Sequence, residues 1–149
     1  ILARLELRVS DADEAIMVDT DGHVAEGATS NLFFVRDNAL RTPRLDGPVL
    51  PGITRRVVLE LADEEGIPVE EGTYTPDDIR NAAEVFLTNS TWEIRPVDTV
   101  DGISLGEDTA DAAAGDDDSG SDPLATAGPV TTLLARLFAA RIDREYYSR

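Results

Sequence analysis

Short apolar runs alternate with polar punctuation along the chain, and the spacing within each run predicts an element. Ile1, Leu2, Leu5 and Val9 fall on one helical face with Arg4, Glu6 and Arg8 elsewhere, so residues 1–9 read as a helix that residues 10–14 break. Residues 14–19 (EAIMVD) read as a buried strand, residues 20–22 as a turn with Asp-Gly chemistry, and residues 23–25 as the return, which makes 14–25 a hairpin. Residues 31–36 (NLFFVR) form a second strand; Asp37 and Asn38 turn it, and residues 39–42 pair back. A Pro-rich loop, 43–51, precedes a helix with an inner stripe of Ile53, Val57, Leu61 and Ala62 and a capping Gly66.

Beyond it lie a short strand at 67–71, a short helix at 76–82 and a buried strand at 84–89 (EVFLTN). Residues 93–100 extend away from that strand to a turn at Asp101 and Gly102. Strands separated by helices predict an α/β or α+β body, a mixed sheet with flanking helices. Residues 106–127 differ in kind. Seven acids, no base and mainly small residues cannot bury enough surface to offset ordering, so this stretch reads as an acidic flexible insertion. A closing helix then begins at Gly128 and Pro129, with Val130, Leu133, Leu134, Leu137, Phe138 and Ile142 forming a broad apolar face. One domain results: a main body over 1–105, the insertion, and a closing helix over 128–149.

Composition adds the surface. The chain has 149 residues, 42% hydrophobic, enough for a real core. Its net charge is −17, and all 13 basic residues are arginine. Thirty acids point to a surface built to hold water and salt, and we expect a halophilic source; an ordinary acidic protein explains the charge but not the missing lysines. No basic face is available for nucleic acid. The absence of cysteine excludes disulfides and thiolate metal sites and fits the cytoplasm. No apolar run approaches the ~20 residues that span a bilayer, so no membrane partner is expected. The chain starts without Met, inside a pattern, and we expect an N-terminal part to be missing.

Three places could carry chemistry. Glu26 stands beside Gly27 and Ala28, where little bulk would hinder a ligand; its carboxylate could accept a hydrogen bond from a protonated pyridine nitrogen. The ordinary alternative is one surface acid among thirty. The turn Pro51, Gly52, Ile53, Thr54 opens into a helix, where backbone N–H groups and the Thr54 hydroxyl could hold a phosphate. Taken alone, the turn reads rather as a plain helix start with Thr54 near its cap. Thr88, Asn89, Ser90 and Thr91 end a buried strand, the place where ligands tend to sit in α/β sheets, although a polar turn would look the same. An acid, an anion cradle and a strand between them suggest pyridoxal phosphate. His23, the single histidine, reads as a solvated turn residue, and a zinc site would need three carboxylates beside it. No G-x-S-x-G elbow supports a Ser-His-Asp triad. Tyr146 and Tyr147 read as packing.

Order and spacing join these places. Glu26, the small residue Ala28, Asn31, Leu32, Phe33, Leu40, Thr42, Leu50, Gly52, Ile53 and Arg55 match the signature of the class IV aminotransferases at every fixed position. The flanks DEAIMVDTDGHVAEG and EVFLTNSTWEIRPVDTVDG, and the closing GPVTTLLARLF, resemble the same family. The resemblance covers nearly the whole chain except the insertion. It implies the C-terminal large domain of a fold type IV pyridoxal-phosphate enzyme, a group spanning branched-chain and D-amino-acid transaminases and 4-amino-4-deoxychorismate lyase. It further implies that Glu26 pairs with the pyridine nitrogen and Leu50 packs on the ring. Gly52, Ile53, Thr54 and Ser90 would cradle the phosphate, and Thr91 would lie near the carboxylate of an amino-acid substrate. The family works as a homodimer.

Asn89-Ser90-Thr91-Trp92, where branched-chain enzymes carry a Gly-Thr-Ala-Ala-like run, and GATSN after Glu26 point toward the lyase and D-amino-acid branch, with a branched-chain transaminase as the alternative. One departure stands out: the family's Schiff-base lysine lies upstream of the segment that begins here as Ile1, and this chain has no lysine. Without an amine of suitable pKa the chain alone is expected to be inactive. A truncated domain kept for binding or assembly is the contrasting expectation.

Overall fold

The computed structural model describes residues 3–9, 12–19, 21–27, 30–44, 52–89, 93–105 and 127–147. They form nine strands, three α-helices and a closing π-helical turn: β1 (Ala3–Val9), β2 (Ala12–Val18), β3 (Val24–Gly27), β4 (Asn31–Arg36), β5 (Ala39–Pro43), α1 (Ile53–Glu64), β6 (Val69–Gly72), α2 (Pro76–Arg80), β7 (Glu84–Asn89), β8 (Glu93–Val100), β9 (Ile103–Ser104), α3 (Pro129–Ile142) and the π turn (Asp143–Tyr147). The strands make one mixed sheet in the order β3-β2-β1-β8-β7-β4-β5-β6, with β9 on β8. Among the described strands only β5 and β6, joined through α1, run parallel.

The central strands β4 and β7 are buried on both faces, which suits their unbroken apolar runs. Leu32, Phe34, Val85 and Leu87 face one way, into a cluster completed by Ile16, Val18, Val24, Val97 and Val100. The sheet curls enough for β3 to lie against β4 and β5, and Ile79 of α2 and Tyr74 pack into that cluster. Phe33, Val35 and Phe86 face the other way, under Val58, Leu61 and Ala62 of α1 and Leu134 and Phe138 of α3. Phe33 and Phe86 oppose each other across the ladder and stack, with ring centroids 5.0 Å apart.

Most expected elements stand, and the exceptions have physical reasons. Residues 3–9 are a strand, not a helix, paired with both β2 and β8. Ala3, Leu5, Leu7 and Val9 alternate strictly with Arg4, Glu6 and Arg8, and this period of two prevails once two neighbours satisfy the backbone. In α1 the inner stripe is Val58, Leu61 and Ala62; Ile53 is 72% exposed and Val57 half-buried, because the face turned to the sheet is the one that carries Thr54, Arg55, Val58, Leu61 and Ala62. Leu133 of α3 is likewise exposed. Residues 93–100 do not extend away from β7 but pair with it in antiparallel register, Asn89 opposite Glu93. Residues 106–126, nearly all of the expected insertion, lie outside the described residues.

A contact that no local pattern announces fixes α3. Glu84, 8% exposed at the start of β7, accepts hydrogen bonds from the Val130 N–H (3.1 Å), the Thr131 N–H (2.7 Å) and the Thr131 hydroxyl (2.7 Å). Its carboxylate thereby caps the first turn of a helix 46 positions away and meets the positive end of that helix's dipole. Gly128 leaves the room, since a Cβ there would run into the same carboxylate.

Candidate functional site at one end of the sheet

The strand directions gather several chain ends in one place. Asn31 at the start of β4 opposes Thr88 near the end of β7, and Asn89 opposes Glu93. Pro43, ending β5, opposes Gly72, ending β6. Gly27, ending β3, is only four residues before Asn31. The tip of α1 lands on this same end, because Gly52 abuts Asn31: a Cβ at Gly52 would fall 2.6 Å from Asn31 Oδ1.

That tip has the make-up of an anion site. Gly52 is the N-cap in extended conformation and offers no capping side chain of its own, and no acid occurs in the first turn. The first-turn N–H groups have no helical carbonyl to donate to, and the dipole adds positive potential there. Thr54 is 6% exposed, and its hydroxyl donates to the Asn89 carbonyl at 3.2 Å, which ties the tip to the end of β7. The hydroxyl proton is thus engaged in holding the helix, and the Ile53 and Thr54 N–H groups remain the donors. Thr88, fully buried across the ladder from Asn31, has a hydroxyl with no partner among the described residues. An uncapped tip, an acid-free first turn, a glycine at closest approach and a spare buried hydroxyl fit a phosphate ester.

Glu26 sits in a feature the sequence hides. Ile16 pairs with Gly27 and Val18 with Val24, so Ala25 and Glu26 together face Met17 alone. This is a β-bulge, a device that re-aims side chains and often adjoins binding sites. The burial of consecutive residues Val24 and Ala25 agrees with the broken alternation. Leu50, Ser90 and Thr91 lie outside the described residues. Leu50 precedes Gly52 by two positions, and Ser90 and Thr91 fall between Asn89 and Glu93. The backbone of Glu26, with Gly52, Ile53 and Thr54, and the described neighbours of the other three thus belong to one end of the sheet.

Elsewhere, Asp19 Oδ1 accepts the backbone N–H groups of Asp21 and His23, each at 2.9 Å. The His23 amide holds the Asp19 carboxyl below the usual aspartate range. Ligand atoms of Asp19, Asp21 and His23 approach within 4.8 Å of one another, but that carboxylate serves the turn. Burial, followed by the nearby Glu70, pushes the Tyr74 phenol up to about 12, and its OH donates to Glu70. No helix among the described residues is long and apolar enough to cross a membrane.

Sequence reasoning assigned no role to Arg55, the third residue of α1. It is 4% exposed, and its Nη2 donates to Glu71 Oε1 at 2.9 Å and to the Pro43 carbonyl at 3.2 Å. The available signal was charge placement: a cation sits in the turn where the helix dipole disfavours one.

Comparison with known proteins agrees with this geometry. The model of the family described as amino-transferase class IV matches residues 1–100. The branched-chain-amino-acid aminotransferase of Escherichia coli (strain K12) is 42% identical over 107 residues, 72% of this chain and 35% of that protein. The D-alanine aminotransferase of Bacillus licheniformis is 38% identical over 106 residues, 71% of this chain and 37% of its own. The crystal structure of a branched-chain amino acid aminotransferase from Thermoproteus uzoniensis, with norvaline, superposes with a TM-score of 0.72 at 30% identity, covering 90% of this chain and 38% of that one. Another branched-chain amino acid aminotransferase, crystallised with pyridoxamine 5'-phosphate, superposes with a TM-score of 0.74 at 32% identity, covering 93% of this chain and 40% of that one. The chain thus spans about a third of the length of the curated relatives it matches. These relatives are aminotransferases, so the expected lean toward the lyase branch finds no support, and the branched-chain alternative fits better.

Proposed function

The chain belongs to the class IV aminotransferases, a pyridoxal-phosphate-dependent family, and from that premise we propose that it is the cofactor-holding part of a transaminase acting on branched-chain amino acids. What supports the proposal is an acid-free helix tip at the sheet end where β4 begins, four residues after the bulged strand that holds Glu26. Pyridoxal phosphate, when bound, supplies a carbonyl that takes up the amino group and a ring that delocalises the electrons released at the substrate α-carbon.

The protein's own residues supply binding and orientation. The Ile53 and Thr54 N–H groups would donate to the phosphate, and Gly52 would let the backbone approach. By the family resemblance Ser90 would add a hydroxyl and Leu50 would pack on the ring. The Glu26 carboxylate would accept a hydrogen bond from the protonated ring nitrogen and keep that nitrogen charged, which sustains electron withdrawal. Thr91 would serve the substrate carboxylate. The sequence contains no lysine. The amine that moves the α-proton therefore comes from outside these residues, and the isolated chain does not catalyse transfer.

The test is amino transfer by the complete gene product from valine, leucine or isoleucine to a 2-oxo acid, set against D-alanine as donor. Branched-chain donors are expected to dominate, and Glu26→Ala to cut turnover about a hundredfold or more with the fold intact. Transfer from D-alanine alone would reassign the substrate. An unchanged Glu26→Ala rate would remove Glu26 from the chemistry.

A further inference from the structure

The first turn of α1 contains Arg55 and no acid, in a chain whose acids outnumber its basic residues thirty to thirteen. Both choices oppose helix stability, since the dipole favours acids and disfavours cations there. Burying a guanidinium is costly as well, unless it is paired. Local rules are broken together in this way chiefly at functional sites.

The geometry shows what the broken rules achieve. Four strand ends hold the four-residue tip. Gly52 rests on Asn31 of β4, and Thr54 donates to the Asn89 carbonyl ending β7. Arg55 reaches the remaining two, the Pro43 carbonyl ending β5 and the Glu71 carboxylate of β6. Glu71, 44% exposed at its side chain, neutralises the guanidinium, so Arg55 acts on the tip through the two hydrogen bonds of its Nη2 and much less through free charge. Its Nε, also buried, has no partner among the described residues.

We propose that Arg55 is a positioning residue for the cofactor phosphate: braced on Pro43 and Glu71, it fixes the tip of α1 so that the Ile53 and Thr54 N–H groups converge on the anion. The inference rests on the reading above that a phosphate ester is held at this tip. Nothing in it requires Arg55 to touch the ligand.

Equilibrium dialysis of the complete gene product against pyridoxal 5'-phosphate and against pyridoxal, which lacks the phosphate, separates the possibilities. Arg55→Met should weaken binding of the phosphorylated form about tenfold or more, while pyridoxal changes by no more than about twofold. Arg55→Lys should not restore it, because an ammonium keeps the charge but loses the planar, directed N–H pair of Nη2 that meets both acceptors. Glu71→Gln, at a site open enough to leave folding intact, should also weaken binding of the phosphorylated form. Removal of a negative charge would instead strengthen it if Arg55 worked through its field alone. Equal losses for both ligands in Arg55→Met, rescue by lysine, or unchanged or tighter binding in Glu71→Gln would each overturn the proposal. A wild-type protein with no preference for the phosphorylated ligand would overturn the underlying reading instead.

Discussion

Glu84 exerts its influence through three hydrogen bonds aimed at a helix tip far along the chain. Replacement by Gln keeps the volume but offers one acceptor where two are used, and sets an NH2 group against a donor. Glu84→Gln should therefore lower stability by about 1–3 kcal/mol, seen as a lower urea midpoint at unchanged slope; an unshifted midpoint would show that α3 is held by packing alone. Nothing near Glu84 in sequence could reveal this, because the partner turn is brought to it only by the fold. Arg55 and the bulge at Glu26 were hidden for the same reason: a residue's type is legible, whereas its partners across the sheet are not. Gly52 was legible, since a Pro-Gly pair before a helical stripe marks a helix start and requires no distant contact.

At the scale of elements, legibility followed the strength of the period. Strands β4 and β7 have the bounds their apolar runs predict, and Asp37 and Asn38, both at positive φ, make the turn their types favour. Residues 3–9 were misread because Leu2, Leu5 and Val9 satisfy helical spacing while Ala3, Leu5, Leu7 and Val9 satisfy alternation; over so short a stretch only pairing decides. Helix α1 ends as expected at Gly66, whose φ is +73°. The Gly66 N–H donates to the Asp63 carbonyl and the Ile67 N–H to the Ala62 carbonyl, the two bonds of a Schellman motif. A Cβ at Gly66 would meet nothing within 4 Å, so Gly66→Ala tests backbone conformation without a clash. It should cost about 1–2 kcal/mol, read by thermal or urea unfolding, and an unchanged or raised midpoint would contradict the capping role.

For the whole molecule, a mixed sheet with flanking helices could be read from the succession of elements, but the strand order could not. Order depends on pairings such as β1 with β8, which join residues nearly the full body apart, and local pattern does not encode them. The order matters for function, because curling brings β3 against β4 and β5 and so carries Glu26 toward the end where α1 lands. The family resemblance implies one site for Glu26, Leu50, Gly52, Ile53, Thr54, Ser90 and Thr91; the topology supplies a physical reason for the described ones to share an end. A crystal structure of the complete gene product soaked with pyridoxal 5'-phosphate tests that convergence most directly. The account predicts phosphate oxygens about 2.7–3.2 Å from the Ile53 and Thr54 nitrogens, with the ring nitrogen on the Glu26 carboxylate. A cofactor bound with its phosphate away from the tip of α1 would contradict it.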